Sequence, residues 1–144
     1  MEITIRKADR RHLADINRII TDAKISDPLD KLPRLFWFVR VDGRIVACAG
    51  GEFIDETTFI ILHIAVEKPY KRQHVGISLL DHVMAYAREH GATDFGLLTM
   101  FYSFAFFRQR GFDTCGGRKN LPDNLRNHPM FIARRYMKCA AMIT

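Results

Sequence analysis

A mixed α/β domain, of the α+β kind with a helical crossover in its middle, is the fold class that this 144-residue sequence predicts. Three observations carry it. Asp42-Gly43 stands between two apolar runs, the signature of a two-residue hairpin. FIILHIAV, residues 59–66, is a nearly continuous apolar run of strand length, which suits a buried central strand. Leu80, Val83, Met84 and Ala87 recur at helical spacing, and Gly91 stops them.

The elements follow in order. Ile3 and Ile5 alternate with polar neighbours, so residues 2–6 read as a strand. Asp9 can cap a helix over residues 10–24, whose inner face is Leu13, Ile16, Ile20 and Ala23. SDPLDKLPRL, residues 26–35, carries two prolines and reads as a loop or a broken helix. Strands over 36–41 and 44–54 flank the hairpin turn, Asp55-Glu56 marks another turn, and 58–66 is the central strand. A helix is expected over 75–90, a strand over 95–99 and a short aromatic helix over 102–110 closed by Gly111. Two last strands are expected over 112–115 and 130–142, joined by the polar loop GRKNLPDNLRNHP, a lid or substrate-side element. The order is β-α-β-β-β-α-β-α-β-β: a mixed, mostly antiparallel central sheet flanked by helices, in a single domain over residues 1–144.

Composition narrows the function classes. Hydrophobic residues make up 48% and charged residues 26%, which excludes a disordered chain. Eleven Phe point to an aromatic core. A net charge of +6 favours an anionic partner, or is solvated surface charge. Cys48, Cys115 and Cys139 form no CxxC pair, so no zinc site is expected. An odd cysteine count and the absence of a secretory segment suggest a reducing, cytoplasmic setting. No apolar run is long enough to span a membrane, and no nucleic-acid recognition motif is evident.

KRQHVGISLL, residues 71–80, is the stretch with chemistry in it. A loop leaves a buried strand at Val66 and a helix begins near Gly76. Helix N-termini present unpaired N–H groups and a partial positive charge, which bind anions. Gly76 lets a ligand approach the backbone, Ser78 adds a hydroxyl, and Lys71 and Arg72 add charge. The alternative is an exposed basic loop that merely starts a helix. Neither GxGxxG nor GxxxxGK[ST] is present.

IAVEKPYKRQHVGISLLDHVMAYAREHGA, residues 64–92, resembles the acyl-CoA-binding motif of the GNAT acetyltransferase superfamily, approximately L-x-V-x-P-x-Y-[R/Q]-x-x-G-x-[G/A]-x-x-L-L. Ile64, Val66, Tyr70, Gly76, Leu79 and Leu80 fall at matching positions, Lys71 stands at the Arg/Gln position, and Pro69 lies one residue after the motif proline. LLTMFYSFAFFRQRGF, residues 97–112, looks like the family's later strand-helix segment, and VDGRIVACAG, residues 41–50, like its second and third strands. FFRQRGF, the following Leu121-Pro122 and the tail are also similar to the acetyltransferase domain of N-acetylglutamate synthases. Those enzymes carry E-x-R-x-L-A-V in the fourth strand, where this chain is aliphatic, so glutamate is not implied as the substrate.

The resemblance implies a GNAT-like fold and acetyl-CoA as cofactor. Pantetheine would lie along Ile64, Ala65 and Val66, and the pyrophosphate on the amides of Gln73, His74, Val75, Gly76, Ile77 and Ser78 with Lys71 and Arg72 nearby. It implies transfer of an acetyl group to a primary amine of a small molecule, such as an amino acid, by direct attack in a ternary complex. A protein or peptide amine, or a non-catalytic acyl-CoA-binding module, are the alternatives. The implied partners are the amine and a second copy of the chain, with no membrane and no specific nucleic acid. His74 replaces a motif glycine, and Phe107, beside the cofactor, replaces a tyrosine that protonates the departing thiolate in many members. The general base is open. His63 is the one titratable group within the buried run, read either as base or as a hydrogen-bonded core residue. Glu52 is a second candidate, a water chain a third, and Tyr102 could replace the missing acid or simply pack. Cys48 and Cys115 read as buried apolar residues, not nucleophiles. The segment FYSFAFF reads mostly as core, and the basic residues over 108–119 as a solvated face.

Overall fold

The computed structural model describes residues 2–132 and 140–144. Seven strands are hydrogen-bonded in the order β1-β2-β3-β4-β5-β7-β6. They are β1 (Ile3–Lys7), β2 (Leu35–Val41), β3 (Arg44–Phe53), β4 (Thr58–Val66), β5 (Asp94–Thr99), β6 (Asp113–Thr114) and β7 (Ala140–Ile143). The sheet is mixed and mostly antiparallel: β4 and β5 are parallel, whereas β1–β2, β2–β3, β5–β7 and β6–β7 are antiparallel. The helices are α1 (Leu13–Asp22), α2 (Val75–Glu89), α3 (Phe104–Arg108), α4 (Asp123–Arg126) and α5 (Pro129–Ile132). The chain falls into two compact units, Met1–Glu52 with Ile61–His90, and Phe53–Ile60 with Gly91–Thr144.

The first unit is built from local signals that agree. Asp9 accepts the Arg11 N–H at 2.9 Å while its own N–H reaches His12 Nδ1 at 3.0 Å, a reciprocal cap that starts a 3-10 turn leading into α1. Asp42 (φ +48°) and Gly43 (φ +87°) are both left-handed, as a type I′ hairpin requires, and they set the β2–β3 register Val41↔Arg44. Ile16, Ile19 and Ile20 of α1 pack on Phe36, Phe38, Ile45, Cys48 and Ala65. Gly50 faces Phe36 across the β2–β3 ladder, and a Cβ there would stand 2.4 Å from the ring. Helix α2 buries Val75, Leu79, Leu80, Val83, Met84 and Ala87, and ends at Gly91 with φ +105°.

Aromatic rings make the core of the second unit. Phe53, Phe59, Phe95, Phe112 and Phe107 form an edge-to-face chain with successive centroids 5.0, 6.2, 6.4 and 5.9 Å apart. The strand expected over 130–142 is corrected here. Residues 130–132 lie in the helix α5, residues 133–139 fall outside the described set, and strand structure begins at Ala140. The polar loop over 117–129 also holds structure: a 3-10 turn at Arg118–Asn120 and then α4, with Leu121 and Leu125 buried. Both helices that follow this turn start at a proline, Pro122 capping α4 and Pro129 opening α5. Among the described residues no helix is long and apolar enough to cross a membrane.

Candidate functional site

Strand β4 changes character halfway along. Phe59, Ile60 and Ile61 are buried, but Leu62, His63 and Ile64 are only partly so. His63 sits at φ +54°, a left-handed backbone inside a strand, where a non-glycine residue is strained. Such kinks re-aim side chains and end pairing, and they gather at functional sites. The ladder to β5 covers Thr58↔Asp94 to Ile60↔Gly96, while β4 runs on to Val66. The His63 carbonyl accepts the Cys48 thiol at 3.6 Å, and its ring lies 6.3 Å from that of Phe36. Burial pushes the Cys48 thiol up to about 12, so Cys48 is a buried apolar residue and not a nucleophile.

Glu67 anchors the end of β4. Its N–H donates to Val46 O at 2.8 Å. Its carboxylate pairs with Arg18, and with Arg44 at 3.0 and 3.2 Å. Arg18 also donates to Ile45 O at 3.1 Å. Sequence reasoning missed this triad; an acid placed directly after an apolar strand was its only signal.

A tight turn then leads to α2. Lys68–Tyr70 form a 3-10 turn, and Gln73 is tied back by its N–H to Tyr70 O (3.2 Å) and by its side chain to Pro69 O (3.1 Å). His74 caps α2 at φ +61°, ψ +10°. The first helical bond is Ser78 N–H to His74 O at 3.1 Å, so the N–H groups of Val75, Gly76 and Ile77 precede the helical ladder. Lys71, Arg72, Gln73 and His74 are exposed, Val75 and Gly76 buried, Ile77 and Ser78 partly buried. Amides at a helix N-terminus beside two exposed basic side chains suit a diphosphate, so these residues fit the cofactor the sequence implies. The left-handed backbone also explains why glycine is the usual residue at position 74.

Ile64–Val66, residues 71–78, His63 and the exposed Glu52 of β3 all belong to the first unit. Tyr102 and Phe107 belong to the second unit. Tyr102 is 71% exposed in the turn Phe101–Ser103, which corrects the reading of it as a packing residue. The neighbouring FYSFAFF segment is not mostly core either: Phe107 alone in it is buried, against Phe106 and Phe112. Five residues of α3 form too short a helix to hide the preceding aromatics. Among the described residues no cluster of His, Cys, Asp and Glu could hold a metal ion.

Comparison with curated proteins by sequence gives no match. Solved structures are similar in fold. The chain superposes on N-acetylglutamate synthase from Neisseria gonorrhoeae, complexed with coenzyme A and N-acetyl-glutamate, with TM-score 0.77 and 22% identity, covering 99% of this chain and 35% of that one. This chain therefore spans about a third of that enzyme. Ard1 from Thermoplasma volcanium gives TM-score 0.79 at 18% identity over 100% and 97% of the two chains. The ribosomal-protein-S18-alanine N-acetyltransferase from Escherichia coli gives 0.69 at 19% over 99% and 91%. Residues 7–112 match the family described as Acetyltransferase (GNAT) family, a span that includes β4, the basic turn and α2. The chain belongs to the GNAT acetyltransferase family.

Proposed function

We propose that residues 1–144 form one acetyltransferase domain that transfers an acetyl group from acetyl-CoA to the primary amine of a small molecule. The observation that carries this reading is the kinked end of β4 leading through an anchored basic turn into the N-terminus of α2. When bound, acetyl-CoA supplies an activated acyl thioester. The backbone of Ile64, Ala65 and Val66 would hold its pantetheine arm. The amides of residues 73–78, with Lys71 and Arg72, would hold its diphosphate. Holding amine and thioester together supplies much of the rate, and a backbone N–H near the end of β4 would serve the oxyanion.

His63 is our choice of general base. Its partly buried imidazole lies on the kinked turn of β4, and a neutral ring nitrogen can take the amine proton. Glu52 on β3 is the second choice. Phe107 has no hydroxyl to return a proton, so Tyr102 or water would do so. The same lack favours a second reading, an acyl-CoA-binding module without turnover.

Calorimetry with acetyl-CoA, followed by thiol release across amines, amino acids and peptide N-termini, tests the proposal. Binding with turnover of small amines is the expected result. Binding without turnover on any acceptor selects the second reading, and turnover of peptides alone moves the substrate to protein N-termini. A His63→Gln variant that keeps its cofactor affinity and its kcat would remove His63 as the base.

A further inference from the structure

We propose that Glu67, held between Arg18 and Arg44, is a positioning residue: it fixes the C-terminal end of β4, on which the pantetheine arm would lie, without itself touching the cofactor. The inference rests on the function proposed above. The ladder from β4 to β5 covers only Thr58–Ile60, and beyond the left-handed His63 the strand runs on beside β3. At its end the Glu67 N–H donates to Val46 O of β3 at 2.8 Å. The carboxylate of the same residue is taken by two guanidinium groups. Arg18 brings α1 to it and also donates to Ile45 O at 3.1 Å, while Arg44 donates from the start of β3 at 3.0 and 3.2 Å. One residue thus ties a helix and a neighbouring strand to the end of β4.

Burial makes this more than a surface contact, since the Glu67 side chain is only 11% exposed. A buried ion pair gains little net stability, because desolvation offsets most of the attraction. What this one gains is a single geometry, as a carboxylate bound by two guanidinium groups has few other places to go. An extended ligand read by main-chain groups needs that geometry, because small displacements misalign every bond at once. The turn that follows has its own bracing: Gln73 is tied to Tyr70 O and Pro69 O, and α2 is anchored by its buried face. Loosening Glu67 should therefore disturb the pantetheine end of the cofactor and spare the phosphate end.

The experiment measures acetyl-CoA affinity by calorimetry, and pantetheine and adenosine 3′,5′-bisphosphate affinity by ligand-observed NMR, at a temperature where each variant is folded by circular dichroism. Glu67→Gln is expected to weaken acetyl-CoA and pantetheine about tenfold, the size of one well-made hydrogen bond, and to leave the bisphosphate unchanged. Arg44→Gln keeps Arg18 on Glu67 and is expected to weaken pantetheine about threefold, the size of an exposed ion pair. Asn124→Ala removes bonds to Asp55 and Thr58 in the second unit, destabilises without touching this brace, and should bind all three ligands as wild type does. A folded Glu67→Gln that binds pantetheine like wild type overturns the proposal. So does an equal loss for both halves of the cofactor, or the same loss in Asn124→Ala. Should Glu67→Gln not fold, an unchanged pantetheine affinity in Arg44→Gln overturns it alone. Wild type that binds no acetyl-CoA sinks the parent reading instead.

Discussion

Replacing Gly50 with alanine tests how tightly β3 is built against β2. A Cβ on Gly50 would lie 2.4 and 2.6 Å from Phe36 Cδ2 and Cε2, and 3.2 Å from Leu35 O. The ring cannot swing away, because Phe36 is fully buried among Ile16, Ile19, Ile20 and Phe38. In favour of alanine stand about 0.8 kcal/mol for a buried methyl and about 0.5–1 kcal/mol for the lost flexibility of glycine. Against it stands overpacking, about 1–3 kcal/mol in ordinary cases and above about 3 kcal/mol for contacts this short. The net is a loss of about 1–2 kcal/mol, a melting temperature lower by about 3–6 °C for a chain of this size. Thermal melts read it directly. Phe36→Leu, combined with Gly50→Ala, closes a double-mutant cycle in which the two changes should couple favourably by at least about 1 kcal/mol. An unchanged or raised melting temperature in Gly50→Ala, or strict additivity in the cycle, would refute the reasoning.

Three other outcomes follow from the same structure. Glu67→Gln removes the charge that Arg18 and Arg44 share; Glu67 is mostly buried but both arginines are partly solvated, so the denaturant midpoint should fall by about 1–2 kcal/mol equivalent. In the native protein at pH 8, Cys48 should stay unlabelled by a thiol reagent until denaturant is added, and peptide mapping distinguishes it from Cys115. The Asn124 amide, then the Thr57 N–H, hold the Asp55 carboxyl down at about 2. A depressed carboxyl stabilises the fold above its unfolded value and ceases to do so as pH falls through the folded one, so the melting gap between wild type and Asn124→Ala should narrow from about pH 4 to about pH 2. A gap constant over that range would contradict the assignment.

The central strand was legible because Thr58–Val66 is apolar enough to leave no choice of boundary, and the hairpin because Asp-Gly accepts two left-handed residues. The kink at His63 has a sequence trace, a single polar residue in an apolar run, but polarity does not report φ. Helices α4 and α5 were hidden for the opposite reason. Four residues show too little periodicity, and their anchors Leu125 and Phe131 are held by tertiary packing rather than propensity. The aromatics of residues 101–106 misled because hydrophobic residues need not be inside; Phe101 and Tyr102 stay largely exposed on a short turn. For the candidate site, the basic turn and its helix were readable as a motif, whereas Glu67 and its two arginines join positions far apart in sequence, and the acid after the apolar strand does not tell which cations it meets.

Strand β7 follows β6 in the chain but lies between β5 and β6 in the sheet. During synthesis every residue of the first unit has been made before Gly91, so its strands and α2 can assemble early. Strand β5 then waits for about forty residues, until Ala140–Ile143 arrive to pair with it, and β6 waits with it. At ~5–20 residues per second that interval is roughly 2–9 s. A nascent chain stalled in it would present the unpaired edge of β5, the side on which a chaperone or a wrong strand competes with β7.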